Sequence, residues 1–155
     1  MEIRIREMKP DELPLILMWR MEVLENVFGF TKEDSAYEKL LSENERYYRE
    51  MLGRGGHIGC FAEGDGEIIG CGGVCLYDEM PSPDNLGGKC AYLMNIYTRQ
   101  AFRGHGIATK VISYLIDRAK AEGADKIYLE SSKQALPLYH EMGFTEMEDY
   151  LKLKS

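Results

Sequence analysis

The sequence predicts a single mixed α/β domain whose sheet contains one parallel strand pair, and three observations carry that expectation. Short runs of period-two apolar alternation are interspersed with longer runs of helical periodicity, the pattern of strands and helices sharing one core. Two β-type runs flank Gly64-Asp65-Gly66, a turn that closes an antiparallel hairpin. Farther on, an apolar run at Ala91–Thr98, an amphipathic helix at about Ile107–Ala121 and a short run at Lys126–Leu129 follow one another. A strand, a helix and a strand in that order make the two strands parallel.

Taken in order, Ile3-Arg4-Ile5-Arg6 alternates as a half-buried first strand. Lys9 to Glu12 breaks it, and Asp11 is the expected N-cap of a helix with Leu13, Ile16, Leu17, Arg20, Val23, Leu24 and Val27 on one side. Gly29 ends that helix. A second helix is predicted from about Ser35, with Tyr37, Leu40, Leu41, Tyr47 or Tyr48, Met51 and Leu52 at helical spacing. Its charge run, from Glu38 to Glu50, reads as a solvated face. The hairpin strands are His57–Glu63 and Glu67–Leu76, and Gly70, Gly72 and Gly73 inside the second imply a bulge or a close neighbour. Tyr77 to Lys89, with Pro81 and Pro83, is expected to be a loop long enough to shape a binding site. In the central strand, alternation puts Asn95 and Tyr97 on one face, opposite Met94, Ile96 and Thr98. Ile107, Val111, Ile112, Leu115 and Ala119 form the inward stripe of the next helix, which Gly123 closes. A short helix starts near Ala135, because Pro137 is tolerated only in a first turn. A last strand is predicted from roughly Thr145 to Leu153.

Residues 1–155 contain no linker or repeat and read as one domain. The net charge of −7, from 26 acidic and 19 basic side chains, argues against nucleic acid as a partner, because a nucleic-acid binder shows a basic face. It suits a small cationic ligand better than an anionic one. Cys60, Cys71, Cys75 and Cys90 form no C-x-x-C pair and have no histidine at zinc-ligand spacing, so free thiols and no metal are expected. The start, Met1-Glu2-Ile3-Arg4, runs directly into charged sequence, and no apolar stretch approaches the ~20 residues of a membrane span. The expectation is a cytoplasmic protein with no membrane partner.

The chemistry concentrates at Arg103-Gly104-His105-Gly106-Ile107-Ala108, where a strand ends and a helix begins. A helix start leaves backbone N–H groups without intrahelical partners, at the positive end of the helix dipole. Gly104 and Gly106 permit positive φ and close approach of a ligand, and Arg103 adds charge. The stretch therefore reads as a phosphate or pyrophosphate site. A dinucleotide fingerprint is excluded, since Thr109 stands where a third small residue belongs, and the G-K-[ST] of phosphate-loop NTPases is absent.

The pattern Q/R-x-x-G-x-G/A, with Arg103, Gly106 and Ala108, resembles the acetyl-CoA signature of the GNAT superfamily of N-acetyltransferases. A second stretch, Ala135-x-x-x-Tyr139-x-x-x-Gly143-Phe144, is similar to that family's A-x-x-x-Y-x-x-x-G-F segment. The order of elements resembles the complete GNAT fold over essentially the whole chain. That resemblance implies a twisted, mostly antiparallel sheet with a splayed central pair and helices on both faces. It also implies that acetyl-CoA is the co-substrate, its pantetheine arm paired with Ile96 and Thr98 and its pyrophosphate on the N–H groups between Arg103 and Ala108. Tyr139 matches the tyrosine that the family places near the thioester sulfur. Ser132 stands where the family often has asparagine, and its hydroxyl is left to bond cofactor or backbone. Gln100 replaces a common proline.

An amine attacking a thioester passes through an oxyanion and then a thiolate. A backbone N–H near Ile96 or Tyr97 is the expected oxyanion donor, and Tyr139 the general acid. The general base stays open among Glu22, Glu25, Asp78, Glu79 and Glu130, with His57 and His105 less favoured. The first helix, the loop from Phe28 to Asp34 and the Pro81 loop are expected to form the pocket for an amine, small molecule or peptide terminus, with the acidic residues favouring a cation. A non-catalytic acyl-CoA-binding sensor is the rival reading, and a homodimer is compatible with either.

Overall fold

The structure, a computed structural model, describes residues 1–155. β2 (His57–Gly64) and β3 (Glu67–Asp78) join through Asp65 and Gly66, at φ 51° and 80°. Two consecutive positive φ values define the type I′ turn, whose twist matches that of an antiparallel hairpin. β1 (Ile3–Glu7) pairs with the far edge of β2, and β4 (Lys89–Thr98) pairs antiparallel with β3. β5 (Lys126–Leu129) runs parallel to β4, so the five strands lie in chain order. This is the expected mixed sheet.

Helices cover both faces. β2 shows how the sequence arranges this, since Ile58, Cys60 and Ala62 enter one core and Phe61 the other. On the first face lies α3 (Ile107–Ala121), whose buried residues are the five of the predicted stripe, followed by α4 (Leu136–Glu141). On the second face lie α1 (Leu13–Phe28) and α2 (Tyr37–Gly53), packed through Ile16, Trp19, Val23 and Tyr48 against Phe61, Cys71 and Tyr97. Gly29 ends α1 at φ 66°, where its N–H and that of Phe30 take the carbonyls of Glu25 and Leu24.

Four expectations need correction. Asp11 does not cap α1: Pro10–Glu12 forms a 3₁₀ turn, and the Glu12 carboxylate instead takes the Lys9 N–H at 2.9 Å. The proline loop is shorter than expected, because β3 and β4 continue to pair through Tyr77↔Cys90 and Asp78↔Lys89. The loop proper is anchored by Asn85, 1% exposed, whose amide nitrogen reaches Glu79 and the Lys89 carbonyl. Residues 145–153 form no strand; Leu151 and Leu153 are 99% and 93% exposed, so their apolar–basic alternation meets no sheet edge. Finally, Met94 shares the α1/α2 face with Asn95 instead of opposing it, its sulfur 3.6 Å from the Cys75 thiol.

That last departure has a local cause. Asn95 stands at φ 63° inside β4, and the β3–β4 register slips so that Asn95 and Ile96 face Gly72. This is a bulge, and a bulge resets which side chain faces which way. The glycine opposite it is required by packing: a Cβ at Gly72 would lie 2.5 Å from Val111 and 2.9 Å from Ile96.

Candidate active site

β4 and β5 pair only from Cys90↔Lys126 to Leu93↔Leu129, after which β5 ends and β4 runs on to Thr98 paired with β3 alone. Past Leu93, one edge of β4 is open. The direction of its amides follows from a single bond: the Arg99 N–H reaches Ile69 of β3 at 2.9 Å, so Thr98 and Ile96 turn their N–H and C=O to the open edge, and Tyr97 turns toward β3. Ile96 is thus the donor at the opening. Tyr97 is not, because its amide faces β3 and its ring, 7% exposed, packs on Trp19 at 6.2 Å.

The chain leaves β4 through a 3₁₀ turn, Gln100–Phe102, and enters α3 through Gly104 and Gly106 at φ 85° and 74°. The first bond closing onto α3 is Lys110 N–H to the Gly106 carbonyl, and the N–H groups of residues 104–109 donate to no protein acceptor. Gly106 caps the helix without a side-chain bond, leaving that end free for an anion. Arg103 braces the loop by donating from Nε to the Thr98 carbonyl at 3.1 Å, and His105 Nδ1 sits 3.0 Å from the Phe102 carbonyl. Ala108 is half-buried at the loop's edge, whereas the Ile107 side chain is 2% exposed and belongs to the core. Ile107 can therefore serve a ligand only through its main chain.

Tyr139 lies on α4, 8% exposed, edge-on to Phe144, and burial raises its phenol above the ordinary tyrosine value. It also lines a groove of about 1190 Å³ between β5, α4 and the C-terminal segment. Ser132 turns its hydroxyl oxygen to the Ala135 N–H at 3.2 Å, bonding the backbone ahead of α4.

The carboxylate candidates separate cleanly. Glu22 is held by Arg99 through two bonds of 2.8 and 2.9 Å, and Arg99 in turn lies over the Trp19 ring. The hydrogen bond from Arg99 holds the Glu22 carboxyl below its usual range. Glu79 is paired with Lys126 at 3.1 Å. Asp78 ends β3 with its side chain outside any ion pair, and Glu25 lines a groove of about 670 Å³ between α1, α2 and their loop. Glu130 immediately follows β5, where that strand parts from β4. Burial, and then the neighbouring Glu130 carboxylate, push the Tyr92 phenol up to about 12.

His57 is removed as a base. It is 6% exposed, burial pushes it down to about 4, and its Nδ1 lies 2.8 Å from the Tyr47 hydroxyl. The expected acceptor pocket is divided: α1 and its following loop line the smaller groove, whereas Asp84 of the proline loop lines the larger one. Arg20, whose guanidinium bonds Asn95 at 2.9 Å, was visible in sequence only as one polar residue on a helix face. No group of His, Cys, Asp and Glu is arranged to hold a metal ion, and no helix is long and apolar enough to cross a membrane.

Known proteins are similar to this chain in sequence and in fold. A model of the acetyltransferase (GNAT) family matches residues 20–144. The chain is 28% identical over 123 residues to the uncharacterized N-acetyltransferase YjgM of Escherichia coli, covering 77% of this chain and 65% of that protein. It is 38% identical over 77 residues to N-alpha-acetyltransferase 30 of Saccharomyces cerevisiae, covering 48% of this chain and 43% of that protein. Both matches span less than two thirds of the relative's length. Among solved structures, a predicted acetyltransferase with acetyl-CoA from Clostridium acetobutylicum superposes with a TM-score of 0.85 at 27% identity, over 99% of this chain and 96% of that one.

Proposed function

The chain belongs to the acetyltransferase (GNAT) family, and on that premise we propose that it transfers the acetyl group of acetyl-CoA to an amine by direct attack in a ternary complex. The observation that carries this reading is the combination, within one turn of chain, of an open strand edge at Ile96–Thr98 and a run of unpartnered amides at 104–109. A CoA thioester needs both. Its diphosphate takes the helix-start amides, with Arg103 and His105 beside them. Its pantetheine amides pair along the edge as a short added strand.

In the reaction, the amine lone pair forms a bond to the thioester carbon, and the carbonyl electrons move onto oxygen. The Ile96 N–H, turned to the open edge, stabilises that oxyanion. Glu130 is the proton acceptor for the amine, because Glu22 and Glu79 are tied up in ion pairs and Glu130 stands where the strands part. Collapse of the intermediate breaks the C–S bond, and the thiolate takes the Tyr139 phenol proton. A phenol is protonated at neutral pH, as a general acid must be, and burial moves this one further in that direction.

Incubation with acetyl-CoA and a panel of primary amines, read as free-thiol release, tests the proposal. Turnover with at least one amine is expected. Calorimetric binding of acetyl-CoA without thiol release from any amine would instead favour a sensor, and no binding at all would remove both readings.

A further inference from the structure

Arg20 is half-buried between α1, α2 and β4, yet no carboxylate lies within ion-pair distance of it. Its bonds go to two neutral amides: Nε donates to Asn44 Oδ1 at 3.1 Å and Nη1 to Asn95 Oδ1 at 2.9 Å. Asn44 is itself fixed, its amide nitrogen donating to the Leu40 carbonyl one turn back in α2 at 2.9 Å. An arginine placed this way spends its donors on geometry, not on charge pairing.

The geometry it serves is unusual. Three non-glycine residues have positive φ; Asp65 lies in the hairpin turn, Asp149 in the C-terminal segment, and only Asn95 lies inside a strand. A left-handed residue in a strand is costly for an L-amino acid, asparagine less than most, and persists where its surroundings hold it. Each residue along a strand reverses the direction of its amide, so the count at the bulge decides which N–H reaches the open edge. With Asn95 left-handed and Asn95–Ile96 facing Gly72, that donor is Ile96. Were Asn95 to relax, the register beyond it would shift and the edge would present different amides.

We propose that Arg20, anchored by Asn44, is a positioning residue that holds Asn95 left-handed and so aims the Ile96 N–H at the thioester carbonyl oxygen. The proposal rests on the acetyl-transfer reading above and extends it to a residue that touches neither acetyl-CoA nor the amine.

The test is a double-mutant cycle of Arg20→Met and Asn95→Gly, with kcat and the KM for acetyl-CoA measured for all four proteins. Glycine holds a positive φ without a tether. Arg20→Met is therefore expected to lower kcat by about tenfold or more with Asn95 present, and by less than about twofold in the Asn95→Gly background, while the KM stays within about twofold. An equal loss in both backgrounds, or no loss in either, overturns the proposal. Asn44→Leu guards against a misfolded Arg20 variant: it is expected to give a smaller loss that also vanishes in the Asn95→Gly background, and a full kcat would refute the anchor. The Ile96 amide resonance of the same proteins separates this idea from the reaction itself. If the wild type acetylates no amine, the acetyl-transfer reading falls. A resonance that shifts with Arg20→Met only when Asn95 is present still supports the clamp, and one that never shifts removes it.

Discussion

The two halves of β4 have similar apolar content and opposite roles. From Cys90 to Leu93 the strand is paired on both edges, to β3 and to β5, and Ala91 and Leu93 are 0% and 2% exposed in the core under α3. From Met94 to Thr98 it is paired on one edge only, and the strand kinks at Asn95. The first half spends its backbone groups within the sheet and contributes stability. The second leaves donors unspent on its open edge. An opening arises here because the partner strand ends before β4 does.

Substitutions in the two halves should therefore fail differently. Glu130→Gln, at the opening, is expected to lower kcat by about 100-fold with the melting temperature unmoved. Unchanged turnover would transfer the base role to Glu25 or Asp78. Leu93→Ala, in the closed half, should do the reverse and cost about 3 kcal/mol of stability, because it removes a fully packed side chain and leaves a cavity. Chemical denaturation measures that loss, and kcat per folded molecule should be unchanged. A large kcat loss there would break the distinction.

Tyr139→Phe is expected to lower kcat by about tenfold, with acetyl-CoA binding by calorimetry little changed. Because burial raises this phenol, wild-type kcat should hold through neutral pH and fall only as pH climbs past the raised value. Gly106→Ala should cost about 1 kcal/mol, since alanine resists φ 74°, and should weaken acetyl-CoA binding as the loop amides re-aim.

The smallest effect concerns the Glu22–Arg99 pair that ties α1 to the end of β4. Glu22 titrates lower in the folded chain than unfolded, so the pair's stabilisation is complete above the ordinary carboxylate value. It is lost as pH falls through the lowered folded value. Both groups are partly exposed, so the pair is worth less than about 1 kcal/mol. A difference in acid-denaturation profile between wild type and Glu22→Gln checks it.

Local chemistry made much of this legible. The hairpin turn was readable because only Gly, Asp and Asn readily accept consecutive positive φ, and α3 because five apolar residues at helical spacing can face only one way. The loop of free amides was readable because glycines ahead of a helix leave N–H groups unspent whatever packs around them. The C-terminal alternation misled for the opposite reason: period two states that a segment is able to pair, not that an edge is there to receive it.

The chain by itself determined the mixed α/β class, the positions of most elements and the glycine-bearing loop at 103–108, all set by spacings and by residues whose backbone preferences are intrinsic. Only the tertiary structure decided which carboxylates are free, since Arg99 and Lys126 come to Glu22 and Glu79 from distant segments. It alone revealed that Asn95 is left-handed and accepts a hydrogen bond from Arg20, 75 residues earlier. Ion pairs and hydrogen bonds of this kind are long-range contacts, and no short-range periodicity records which partner a side chain will meet.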